Sequence, residues 1–137
     1  MSTLGEFMTR DPFTLKLGST LLDALTFMRD KSVRHIPVLD DEGKLAGVVT
    51  DRDVKRATPT ALLRQRDEWE RVVNHTPLGK VMSREPITGR EHTPIKEVFL
   101  TFVQEKIGCM PVVDDAGALV GICTSQDLFR AALQLIP

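Results

Sequence analysis

Two heptapeptides, "GVVTDRD" at 47–53 and "GICTSQD" at 121–127, place a hydroxyl three residues ahead of a carboxylate: Thr50 with Asp53, and Thr124 with Asp127. Two chemistries suit that spacing. The first is structural: a Thr at a helix N-cap and an acid three residues on satisfy each other's free backbone N–H groups. Thr20 and Asp23 carry the same spacing elsewhere in the chain. The second is recognition. A helix that starts directly after a strand presents N–H groups and a positive dipole end, a seat for phosphate. The Thr hydroxyl donates to a phosphate oxygen, and the two Asp oxygens suit the adjacent 2′- and 3′-hydroxyls of a ribose. Gly47 and Gly121, without side chains, admit close approach by another group. Phosphate seat and diol acceptor, one helical turn apart, describe a nucleotide.

The other reactive side chains supply no competing chemistry. His75 and His92 have no metal-ligand spacing, and the two cysteines, Cys109 and Cys123, form no Cys-x-x-Cys. Both cysteines read as small apolar residues of the interior. Asp40, Asp41, Asp114 and Asp115 read as turn residues. Neither a P-loop nor a nucleophile–base pair is written in the chain. The expectation is a non-catalytic binding protein that requires no cofactor and holds no metal.

The elements that position these residues are written twice. Gly47 and Gly121 are 121 − 47 = 74 residues apart, and the same offset pairs Leu4 with Leu78, Met8 with Met82, Arg10 with Arg84 and Pro12 with Pro86. It also pairs Pro37 with Pro111, Asp40 with Asp114 and Gly43 with Gly117, without a gap. Such register is an internal duplication. Each copy reads as strand, helix, strand, strand, helix. "PFTLKL" and "PITGRE" give the first strand, and Leu21, Leu22, Leu25 and Met28 recur at helical spacing. Ile95, Val98, Phe99, Phe102 and Val103 do so in the second copy, with Thr93 ahead of Pro94 at the first helical position. "IPVL" and "LAGVV", or "MPVV" and "LVGIC", flank an Asp/Gly turn, and the last helix begins at Thr50 or Thr124.

This gives an α/β chain with repeat one at 1–58, a partly helical linker at 59–77 and repeat two at 78–137. In the linker Leu62, Trp69 and Val73 can line one face of a connecting helix; a packing role is expected, with Trp69 under a loop or against a partner chain as the alternative. Each half is marginal alone, so the two β-α-β-β-α repeats are expected to pack about a pseudo-two-fold axis and leave clefts for ligand.

Composition narrows the class. Of the 137 residues 42% are hydrophobic and 27% charged, and the formal charge is −1. A packed core is expected, and neither nucleic acid nor an anionic membrane has a general electrostatic claim on the chain. The first dozen residues lack the apolar run of a signal sequence, and no stretch is long enough to span a membrane. A cytoplasmic location is expected.

"GVVTDRDVKRA" and "GICTSQDLFRA", each preceded by "PV" and acidic turn residues, resemble paired cystathionine-β-synthase (CBS) domains, the Bateman module. "SVRHIPVLDDEGKLAGVVTDRDVKRATP" with "KIGCMPVVDD" is similar, more narrowly, to the acetoin-utilisation AcuB type. The resemblance implies a regulatory module that binds AMP, ADP or ATP between the repeats and senses energy or metabolite state. It implies Asp53 and Asp127 at the ribose and Thr50 and Thr124 at the phosphate; the basic Arg34, His35 and Arg52 are expected at the phosphate from their charge, Arg34 and His35 serving the ligand of either Asp53 or Asp127. Thr14, Ile36 and Pro37, or Thr88, Met110 and Pro111, would enclose the adenine. A homodimer forming a four-repeat disc and an unidentified regulated protein would be the partners.

The copies differ in charge. Repeat one has Arg34, His35, Arg52, Lys55 and Arg56 near its Asp, whereas repeat two keeps only Arg130, so the two sites are expected to differ in affinity or phosphate number. Two alternatives stand beside nucleotide sensing: a ligand-free dimerisation scaffold, and a nucleic-acid-binding member of the same broad family. The near-neutral charge, single Trp and absence of Tyr argue against the latter.

Overall fold

A computed structural model of the chain describes residues 2–58 and 65–137. In chain order the elements are α1 (Leu4–Phe7), β1 (Thr9–Arg10), β2 (Leu15–Lys16), α2 (Leu21–Lys31), β3 (His35–Leu39), β4 (Leu45–Thr50) and α3 (Asp51–Ala57). There follow α4 (Arg66–His75), a 3-10 turn at Leu78–Lys80, β5 (Ser83–Arg84), α5 (Ile95–Glu105), β6 (Cys109–Val113), β7 (Leu119–Thr124) and α6 (Ser125–Leu135).

These elements fall into two compact units whose limits differ from those of the sequence repeats. Residues 13–58 and 65–85 form one unit, and residues 2–12 with 86–137 form the other. The leader of each repeat, "LGEFM" or "LGKVM", therefore packs with the body of the other copy. Leu4 and Met8 are buried in the core that holds Ile95, Val98, Met110 and Leu128. Leu78 and Met82, their equivalents, are buried in the core that holds Leu21, Ile36, Val38 and Val54.

In the first-repeat unit the sheet order is β2-β3-β4-β5, with β2 parallel to β3 across α2 and the other pairs antiparallel. Ile36, Val38 and Val49 point from this sheet into the cluster that also takes Leu21 and Ala24 of α2 and Val54 of α3. Both helices thus cover one sheet face. Trp69 and Val73 of α4 join the same cluster, the packing role expected of them, while Leu62 lies outside the described residues.

In the second-repeat unit the order is β1-β7-β6. The expected first strand of that repeat contracts to one parallel bridge, Gly89 to Val112. Gly89 is wedged there: an added Cβ would stand 2.6 Å from Leu4 Cδ2 and 2.8 Å from Met110 Sδ. The duplication reaches the backbone. Left-handed residues recur at Asp11 and Glu85, at Ser32 and Lys106, and at Gly43 and Gly117, every pair 74 apart. Asp40 and Asp114 close equivalent hairpin turns, each accepting two backbone N–H bonds.

Three local expectations are corrected. Pro94 is the N-cap of α5 in extended backbone (ψ 136°) rather than its first helical residue. The Thr93 hydroxyl is spent on the turn, accepting from Arg90 N, and residues 93–95 are tied to residues 2–4 by backbone bonds. Val103, at helical spacing with the core residues of α5, lies 74% exposed on its flank, and Leu22 of α2 is likewise exposed. The space over Gly47 and Gly121 is already taken. A Cβ on Gly47 would meet Ser83 O at 2.5 Å, and one on Gly121 would meet Thr9 O at 2.9 Å, so the glycines admit a neighbouring strand.

Candidate functional site

Strand β4 runs straight into α3, and its last residue, Thr50, is the N-cap of that helix. Thr50 Oγ1 accepts from Asp53 N at 3.3 Å, and Asp53 Oδ2 accepts from Thr50 N at 2.9 Å. That is a complete capping box, so the structural account of Thr-x-x-Asp holds. Asp53 is nevertheless only 6% exposed, an unusual place for a carboxylate. Arg56 Nη2 reaches its Oδ1 at 3.3 Å, from a side chain that is largely in solvent.

The second box is built in the same way from β7 and α6. Asp127 Oδ2 accepts from Thr124 N at 2.9 Å and from Thr124 Oγ1 at 3.3 Å, and Arg130 Nη2 pairs with Oδ1. A further donor is present here. Thr9 Oγ1, on β1, donates to Asp127 Oδ1 at 3.2 Å. Asp127 is 1% exposed. Sequence reasoning did not select Thr9. The available signal was its equivalence, at offset 74, with Ser83, which also bears a hydroxyl.

Cross-strand register sorts the other selected residues by sheet face. His35 pairs with Thr50 and Pro37 with Val48, so these four share the face turned away from the helices. Cys109 with Thr124 and Pro111 with Ile122 do the same in the other unit. Ile36 and Met110 turn the opposite way into their cores, so a ligand beside Thr50 or Thr124 would meet their backbone rather than their side chains. Arg34 and Arg52 are exposed, as is Thr88, while Thr14 is half-buried. Burial pushes the His35 pKa below its ordinary 6.5, with Arg34 acting in the same direction and Asp51 and Asp53 opposing. Burial pushes the Cys123 thiol up to about 12, with Asp127 adding to the shift. Among the described residues no cluster of His, Cys, Asp and Glu fits a metal ion, and no helix is long and apolar enough to cross a membrane.

Each unit thus offers a helix start, a Thr hydroxyl and a buried carboxylate beside a strand–turn–strand hairpin. The CBS domain model matches residues 4–59 and again 78–134, and the chain belongs to the CBS-domain family. A structure assigned to an acetoin utilization protein (AcuB) of Vibrio cholerae is 34% identical with a TM-score of 0.82, the match covering 99% of this chain and 93% of that one. CBSX2 in complex with AMP is 29% identical with a TM-score of 0.84 over 100% of both chains. The CBS domain pair of protein MJ0100, in complex with 5′-methylthioadenosine and S-adenosyl-L-methionine, is 25% identical with a TM-score of 0.80, covering 98% of each.

Proposed function

We propose that this chain is a non-catalytic regulatory module that binds an adenosine nucleotide, AMP, ADP or ATP, and serves as a cytoplasmic sensor of energy or metabolite state. The ribose diol sits on Asp53 or Asp127. The phosphate takes the Thr50 or Thr124 helix start, with Arg34, His35 and Arg52 as its cationic surroundings in repeat one. The adenine lies against Pro37 and the Ile36 backbone near Thr14, or against Pro111 and the Met110 backbone near Thr88. The observation that carries this reading is the buried carboxylate of Asp53, held at a helix start with acceptor capacity to spare. A relative that shares the whole chain length is known in complex with AMP, which supports adenosine as the ligand class. Binding becomes a signal through differential affinity for two states of the module. A thermal-shift panel of AMP, ADP, ATP, NAD and S-adenosylmethionine tests it: at least one adenosine phosphate raises the melting temperature, and Asp53→Asn combined with Asp127→Asn abolishes that rise. A panel without any shift refutes the reading.

The scaffold reading retains one specific observation. On the outer sides of α5 and α6, Leu100, Val103, Phe129 and Leu133 are 47, 74, 69 and 76% exposed. Their offset-74 equivalents in repeat one include Thr26, Arg29 and Lys55. Exposed apolar side chains of this kind mark an interaction surface, and a second copy of the chain is the occupant that suits a homodimer. Phe129→Lys with Leu133→Lys should convert a dimer to a monomer in light scattering. An unchanged mass removes that face from the interface.

A further inference from the structure

We propose that the two boxes are unequal because the Thr9 hydroxyl closes the second one, so that each chain takes one vicinal diol, at Asp53. This inference rests on the nucleotide reading above and deepens it.

A carboxylate has about four lone-pair positions for hydrogen-bond donors. At Asp127 all four are engaged, by Thr124 N, Thr124 Oγ1, Thr9 Oγ1 and Arg130 Nη2. At Asp53, among the described residues, two are engaged, by Thr50 N and Arg56 Nη2. Two remain, the number that a pair of adjacent ribose hydroxyls needs. A diol arriving at Asp127 gains only what an existing donor gives up, whereas at Asp53 its bonds are additional. A hydrogen bond to a charged group that is displaced rather than added forfeits on the order of ten-fold in affinity or more.

The difference has an identifiable origin. Thr9 on β1 pairs with Ile122, and Ser83 on β5 pairs with Val48, at the same place in each sheet. The backbone frames match, yet among the described residues no hydrogen bond joins Ser83 to Asp53. The charges lean the same way. Arg34, His35, Arg52 and Lys55 of the first copy stand where the second has Gly108, Cys109, Gln126 and Phe129. A phosphate attached to the diol therefore has the denser cationic surroundings near Asp53, since the second copy keeps only Arg130 beside its Asp.

Isothermal titration of the full chain with AMP tests the proposal. The wild type binds one AMP per chain, and Asp53→Asn binds none. Thr9→Val, which keeps the shape and strand preference of the side chain but removes the donor, binds two. Two equal sites in the wild type, one site retained in Asp53→Asn, or a single site in a folded Thr9→Val chain each overturn it. The first two of these results leave the nucleotide reading intact. Absence of heat with AMP, ADP and ATP in both the wild type and Thr9→Val removes that reading and this inference together.

Discussion

Three Thr-x-x-Asp boxes in one chain, identical in spacing and different in burial, make an internal series for Asp→Ala substitution. Asp23 closes its box in the open, on Thr20 at the start of α2. Water replaces its bonds when it is removed, and the loss is the carboxylate's attraction to the helix dipole, about 0.5 kcal/mol. Asp53 is 6% exposed and holds Thr50 N and Arg56, so Asp53→Ala leaves one backbone donor poorly solvated, at a cost of about 1–2 kcal/mol. Asp127 is 1% exposed with four donors converging on it. Its removal strands the most donors and costs about 2–4 kcal/mol. Urea unfolding followed by far-ultraviolet circular dichroism reads the series as shifts in midpoint at constant m-value. The order expected is Asp23, then Asp53, then Asp127. An Asp23→Ala cost equal to or above that of Asp127→Ala would refute the claim that burial and donor count set the worth of each box.

Further outcomes follow from the same geometry. Because burial lowers the His35 pKa, the unfolded chain takes up more protons than the folded one as pH falls below 6.5. The His35 contribution to stability is therefore complete above pH 6.5 and shrinks below it. Unfolding free energies at pH 7.5 and 5.5 should converge in His35→Gln relative to wild type, and an identical pH slope in both contradicts this. Gly47→Ala drives a Cβ into Ser83 O and should cost about 1–3 kcal/mol in thermal or urea melts; a neutral result would mean that β5 is not held against β4. Cys123, with its thiol pushed up to about 12, should resist alkylation at pH 8 until the chain is unfolded. Prompt labelling of Cys123 in the native protein would show that its burial is wrong.

The repeat offset foretold much of this fold, since one alignment of the chain with itself anticipates both hairpins and both Thr N-caps. What it hid was partnership. The leaders at 4–12 and 78–86 carry the same pattern, Leu-Gly-x-x-Met-x-Arg-x-Pro, so either suits either body, and only coordinates reveal that each packs with the other copy. Thr9 escaped notice for the same reason, because its bond to Asp127 spans 118 residues and exists only after that exchange. Face assignment was legible in principle. Ile36 and Pro37 are neighbours on a strand and must point oppositely, which separates a residue turned toward the helices from one buried on the other sheet face. Pro94 shows the limit of local rules. Its ring suits a first helical turn, but backbone bonds between residues 2–4 and 93–95 hold it extended.

The most direct trial of the account is a crystal structure of the chain grown with AMP. The two ribose hydroxyls of the bound nucleotide should lie within hydrogen-bond distance of Asp53, with its phosphate at the start of α3. Electron density for AMP anywhere that leaves Asp53 bonded only to Thr50 and Arg56 would contradict it.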